Sequence, residues 1–138
     1  MASVCIELVF TRCQFKEFCF STTSLSKCKF IECSFSDSIL RSMEIYQSSF
    51  KDCTFINSDF SDSDLTETNF DSCYFEKVSF GKVYLMKCNF HNNTFTNQLV
   101  PGLAPIICDS EISKNDWSIT LKGGFDFYAL VEFLIKTQ

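Results

Sequence analysis

Nine cysteines and a single histidine are the residues of this 138-residue chain with the most chemistry to offer. Four of the cysteines, Cys13, Cys33, Cys53 and Cys73, recur at intervals of twenty. Stacked in space they would form a ladder of thiols about one strand spacing apart, ~4.8 Å. A tetrahedral zinc site needs four sulfurs converging on one point, and a linear ladder cannot converge. The spacing falls within disulfide range, but parallel Cβ vectors make poor bridging geometry. Small, weakly polar packing residues are the better reading of the column. Cys19, just before Phe20, should point outward and is the thiol most open to reaction, yet nothing beside it activates a nucleophile. His91 sits at an outward position among Asn89, Asn92 and Asn93, without an acid–base partner. The many Ser and Thr lack a base, and no glycine-rich phosphate loop is present. The chain is expected to be no enzyme and to use neither cofactor nor metal.

The elements that hold these residues are set by a stronger pattern. Every fifth residue from Cys5 to Val100 is apolar, and thirteen of these twenty are Phe. A period of five matches neither the 3.6 of a helix nor the 2.0 of a flat strand. It implies a chain that turns a corner every five residues and sends one large side chain inward each time. A second period of twenty sorts the inward residues into columns. Cys5, Leu25, Ile45, Leu65 and Leu85 form the first. Phe10, Phe30, Phe50, Phe70 and Phe90 form the second, and Phe15, Phe35, Phe55, Phe75 and Phe95 the third. The fourth is mixed: Phe20, Leu40, Phe60, Phe80 and Val100. Four sides per turn follow, each residue stacked on its equivalent in the next turn. A companion position two residues before each inward one is mostly small (Cys, Ser or Thr), because four large side chains already fill the axis. The larger Leu8, Phe18 and Met43 depart from this.

Stretches such as Ser58-Asp59-Phe60-Ser61-Asp62 and Ser63-Asp64-Leu65-Thr66-Glu67 resemble the motif of the pentapeptide-repeat family: a small residue, any residue, a central Leu or Phe, then a polar pair. The resemblance spans roughly residues 5–100, with Cys where the family more often places Ala or Ser. It implies an all-β solenoid, a right-handed quadrilateral β-helix of about five to six coils.

The regular pattern (5–100) breaks at Pro101-Gly102, and a shifted echo follows in Ile107, Ile112 and Trp117, with Ser110 and Asn115 as companions. Residues 103–122 are expected to be a distorted sixth coil, so the β-helix is placed at 1–122. After Gly123-Gly124, residues 123–138 are read as a short α-helix, N-capped by Asp126. It is apolar nearly all round, through Phe127, Tyr128, Leu130, Val131, Phe133 and Leu134. Such a helix needs two partners. One face can cap the last coil; the other is expected to form a homodimer interface, the alternative being a cap alone.

No run of eighteen apolar residues predicts a membrane span, and no secretory signal is evident. With an odd cysteine count, this predicts reduced thiols in the cytoplasm. The net charge of −5 argues against direct binding of nucleic acid. The charge is uneven. Asp52, Asp59, Asp62, Asp64, Glu67, Asp71 and Glu76 face only Lys51 within residues 51–76, a net of −6. These acids are the candidate site for a protein partner. Some members of the family, the quinolone-resistance group, bind type II topoisomerases by resembling duplex DNA, so the resemblance implies DNA gyrase or topoisomerase IV as a candidate partner. The alternative is a general structural or scaffold module with no topoisomerase target.

Overall fold

Each five-residue unit is built alike: extended residues around the inward one, then a corner. The computed structural model describes residues 3–96, 106–108, 110–114 and 117–121. The corner is made by the second residue after each central one, with φ between 50° and 63° in an unbroken series from Glu7 to Asn92. None of these residues is glycine, although the left-handed region costs an L-residue ~1–2 kcal/mol. A backbone bond to the next coil holds most corners in that conformation. Arg12 N–H, for example, donates to Ile31 C=O at 2.8 Å, and Glu32 N–H to Lys51 C=O at 2.9 Å.

Four faces result. Face 1 stacks Val4–Ile6, Ser24–Ser26 and Glu44–Tyr46 in parallel. Bridges at Asp64 carry it on to Tyr84–Met86, which pairs with Ile106–Cys108. Face 2 stacks Val9–Thr11, Lys29–Ile31, Ser49–Lys51, Asn69–Asp71, Asn89–His91 and Ser110–Lys114. Face 3 stacks Gln14–Lys16, Ser34–Ser36, Thr54–Ile56, Tyr74–Glu76 and Thr94–Thr96. Face 4 is held by single bridges that link Cys19, Ile39, Asp59 and Ser79. The register is twenty through the first five coils, as in Phe10↔Phe30 and Phe55↔Phe75. This is the β-solenoid that the two periods imply.

The columns form the core. Along face 2 the rings from Phe10 to Phe90 lie 4.7–5.0 Å apart, within 11° of parallel. The rings of face 3 stack at 4.8–5.1 Å, within 14° of parallel. Neighbours within one coil meet edge to face, as Phe50 and Phe55 do at 5.5 Å and 64°. Both arrangements suit the ring quadrupole. Phe10, Phe15 and Phe20, in the first coil, are only partly buried.

Among the described residues the expected sixth coil forms on two faces. Ile107 stacks on Leu85 and Ile112 on Phe90, a register of twenty-two that absorbs the two-residue shift. Trp117 then departs from the expected pattern. Trp117–Leu121 turns back and pairs antiparallel with Ser110–Lys114, so it covers the end of face 2 instead of continuing to face 3. Val100 and residues 123–138, including the expected helix, lie outside the described residues.

Phe55 has no exposed surface. Truncation to Ala is expected to cost ~3–5 kcal/mol through the cavity it leaves, read as a fall in urea midpoint. A near-neutral result would contradict the inward column as the source of stability.

Candidate protein-binding surface

The companion position does more than fill space. Cys33, Cys53 and Cys73 each donate S–H, at 3.3 Å, to the carbonyl of Phe10, Phe30 and Phe50, the central residues just before the matching corner one coil below. Where the companion is Ser or Asn, it also accepts the N–H three residues further on. Ser63 Oγ donates to Leu40 C=O at 2.7 Å and accepts from Met43 N–H at 3.0 Å. Asn93 joins Phe70 C=O and Cys73 N–H in the same way, at 3.0 and 2.7 Å. The side chain thus stands in for the bond that would close a β-turn. Beneath two apolar companions the turn closes directly: Thr23 N–H reaches Phe20 C=O at 3.0 Å beneath Met43, and Ser63 N–H reaches Phe60 C=O at 3.2 Å beneath Val83.

Size alone therefore does not explain the companion residues. The signal was present in their types, since Cys, Ser, Thr and Asn can all donate while Ala never occurs at these positions. Two of the buried thiols, Cys73 and Cys88, are poor nucleophiles. Contact with the Cys53 sulfur, then burial, pushes the Cys73 thiol far up, and burial pushes Cys88 up to about 11. Cys19 is exposed, and hydrogen bonds from the Ser21 side chain and backbone hold its thiol below the ordinary value. His91, expected to be solvated, is half-buried: its Nδ1 meets Ser113 Oγ at 2.7 Å, tying the fifth coil to the sixth. Among the described residues no group of three His, Cys, Asp or Glu could hold a metal.

Winding separates the seven acids singled out in the sequence. Asp59, Asp62, Asp64 and Glu67 follow one another across face 4, the corner to face 1, face 1 itself and the next corner. Asp52 and Asp71 are neighbours at face 2, joined by Asp52 N–H to Asp71 C=O at 2.9 Å. Glu76 lies on face 3, where it accepts from Tyr74 OH at 2.8 Å. The first four gain a member outside the acidic stretch, Glu44, whose backbone bridges to Asp64. The register of twenty points to it, because forty-four and sixty-four are equivalent positions.

Arg41 sits within this strip, 3.6 Å from Asp59 and 3.2 Å from Asp62. Asp59 and Asp64 also accept corner N–H groups, from Ser61 at 2.8 Å and Thr66 at 3.1 Å, so part of their role is to build the turn. Burial, then the charges of Asp64 and Glu44, raises the Tyr46 phenol above its ordinary value. Two exposed apolar side chains border the strip: Ile39 (45% exposed) stacks beside Asp59, and Tyr84 (46%) beside Asp64.

A family model described as the pentapeptide repeat region matches residues 8–80, just over half of the chain. The chain belongs to the pentapeptide-repeat family. Its structure is similar to that of the pentapeptide-repeat protein Rfr23 from the cyanobacterium Cyanothece 51142, with TM-score 0.54 at 9% identity over 82% of this chain and 88% of that one. A pentapeptide-repeat protein from the Arabidopsis thaliana thylakoid lumen gives 0.52 at 23% identity, over 71% and 64%. A trypsin-treated form of QnrB1, a plasmid-mediated fluoroquinolone resistance protein, gives 0.46 at 18% identity, over 78% and 64%. This chain therefore spans under two thirds of the Arabidopsis and QnrB1 chains. No curated relative matches it. At these identities the likeness is one of fold.

Two measurements test this account. Ser63→Ala leaves Leu40 C=O and Met43 N–H without their bridge and is expected to cost ~1–3 kcal/mol, while Ser63→Cys costs less; equal losses would contradict the bridging role. In the folded protein Cys19 should react first with a thiol reagent. Its lowered pKa keeps more thiolate at a given pH, so its labelling curve should lie at lower pH than that of a free cysteine, and Ser21→Ala should move it back up.

Proposed function

We propose that this pentapeptide-repeat chain is a non-enzymatic protein-binding module whose contact surface is the acidic strip over faces 4 and 1. The observation that carries this reading is the gathering of Glu44, Asp59, Asp62, Asp64 and Glu67 beside Arg41, which pairs with Asp59 and Asp62, with Lys82 and Lys87 at the corners one coil above Asp62 and Glu67 and with Ile39 and Tyr84 as apolar anchors on either side. A basic protein surface complements such a strip: charge steers the encounter, and buried aromatic or aliphatic anchors supply most of the affinity. The protonated buried thiols suit a reducing compartment, for which we propose the cytoplasm.

The narrower reading is a DNA-mimicking modulator of DNA gyrase or topoisomerase IV, acting as a homodimer through residues 123–138. Stacked acids at strand spacing give it a physical basis, and charge density limits it. Duplex DNA carries one charge per ~1.7 Å, which a rod of about six coils at ~4.8 Å would match with roughly 17 charges. The net charge of the chain is −5. Mimicry would then be confined to the acidic strip, and the broader module needs no such match.

A lysine-rich peptide probes the surface directly. Asp62→Lys with Glu67→Lys, both at exposed corners of the strip, should weaken its salt-dependent binding more than Asp52→Lys with Glu76→Lys. Equal weakening would sink the strip as the site. A supercoiling assay with DNA gyrase, with and without a fluoroquinolone, tests the narrower reading. Protection or inhibition that disappears with the first pair of substitutions supports it, and no effect at any concentration removes it.

A further inference from the structure

The first coil differs from the second and third at several positions, on the side turned away from them and on its outer surface. In the interior, companion side chains reach into the coil below, as Cys28 does to Cys5 C=O at 3.4 Å and Cys33 to Phe10 C=O at 3.3 Å. The equivalent side chains of the first coil project from the end of the rod. Two of them, Leu8 (44% exposed) and Phe18 (48%), are large and apolar. Phe18 lies over the end of the ring columns, 5.7 Å from Phe15 and 4.5 Å from Phe20. The outward positions of face 1 change too. They are Ser24 and Ser26 in the second coil and Glu44 and Tyr46 in the third. In the first they are Val4 and Ile6, 64% and 60% exposed.

We infer that this end binds the same end of a second copy of the chain, related by a two-fold axis that crosses the rod through faces 1 and 3. Backbone polarity suits that arrangement. In the second coil Ser24 N–H donates downward to Ser3 C=O, and Ser26 C=O accepts from Glu7 N–H. On face 3 Ser34 N–H donates to Cys13 C=O, and Ser36 C=O accepts from Glu17 N–H. The equivalent groups of Val4 and Ile6, and of Gln14 and Lys16, therefore point out of the end. A two-fold sets these edges antiparallel, with Val4 N–H opposite Ile6 C=O of the copy and Gln14 N–H opposite its Lys16 C=O. Cys5 then faces Cys5, and Phe15 faces Phe15, as close non-hydrogen-bonded pairs.

Side-chain chemistry agrees. Val4 comes to lie beside Ile6 of the copy on the outer surface of face 1, joining two exposed apolar residues on each side of the axis. The same rotation exchanges the corner between faces 2 and 3 with the corner between faces 3 and 4. Arg12 occupies the first and Glu17 the second, so each Arg12 meets the Glu17 of the other copy. The interface is isologous and closes at two subunits, and it hides strand edges that otherwise template open-ended aggregation.

Sedimentation equilibrium of the full chain over a concentration series, with circular dichroism to verify folding, tests this. The wild type should be dimeric, and Val4→Glu with Ile6→Glu should be monomeric with an unchanged spectrum. Arg12→Glu should weaken the dimer about tenfold by placing like charges together, and adding Glu17→Arg should restore it. Mild oxidation should cross-link the wild type and Cys19→Ser but not Cys5→Ser, because a close antiparallel pair lies within disulfide range. A wild type monomeric at all concentrations overturns the proposal and leaves the end to some other segment. A dimer lost on Leu130→Glu but untouched by Val4→Glu with Ile6→Glu also overturns it.

Discussion

The stacking of each residue on its equivalent one turn away is the constraint on which the rest of this structure depends. Parallel strands lie at one fixed spacing, so a register of twenty imposes the same interval on rings, carbonyls and charges alike. Phenylalanine meets this interval well, since two flat rings can stack at the distance the backbone dictates, as Phe35 and Phe55 do at 4.8 Å. The left-handed corners are tolerated for the same reason. Most are held by a bond to the next coil, so Glu32 or Glu67 can occupy a conformation that usually selects glycine.

That constraint also explains why cysteine is abundant without evident thiol chemistry. The companion side chain must be small enough to share the axis with a ring and must also donate to a carbonyl at the corner below. Ser63 and Cys53 meet the same demand, one with an oxygen and the other with a sulfur. Cys73 and Cys88 are held above the ordinary thiol value, with burial among the causes. Among the described residues, Cys19, on the loosely bridged fourth face, combines exposure with a lowered pKa.

Surface properties follow the register as strictly as the core does. A run of acids in sequence wraps around the rod and is dispersed, whereas residues twenty apart are brought together. Glu76 is thus carried to face 3, and Glu44, outside the run, joins Asp64. The outermost described strands depart from this logic. At one end Leu8, Phe18, Val4 and Ile6 replace the polar residues of the interior coils. At the other, Trp117–Leu121 abandons the parallel pattern and closes face 2 with an antiparallel strand.

The five- and twenty-residue periods by themselves determined the number of faces, the inward columns and the register, because each depends on spacing that recurs along the chain. They also located Ile107 and Ile112 correctly across a two-residue shift. Three matters were decided only in three dimensions: the bridging of corners by companion side chains, the membership of the acidic strip, and the reversal at Trp117. In each the decisive contact joins residues about twenty apart in sequence, or two strands whose relative direction depends on a turn. Reading along the chain shows which residues are available for such contacts. Coil-on-coil packing settles which of them meet.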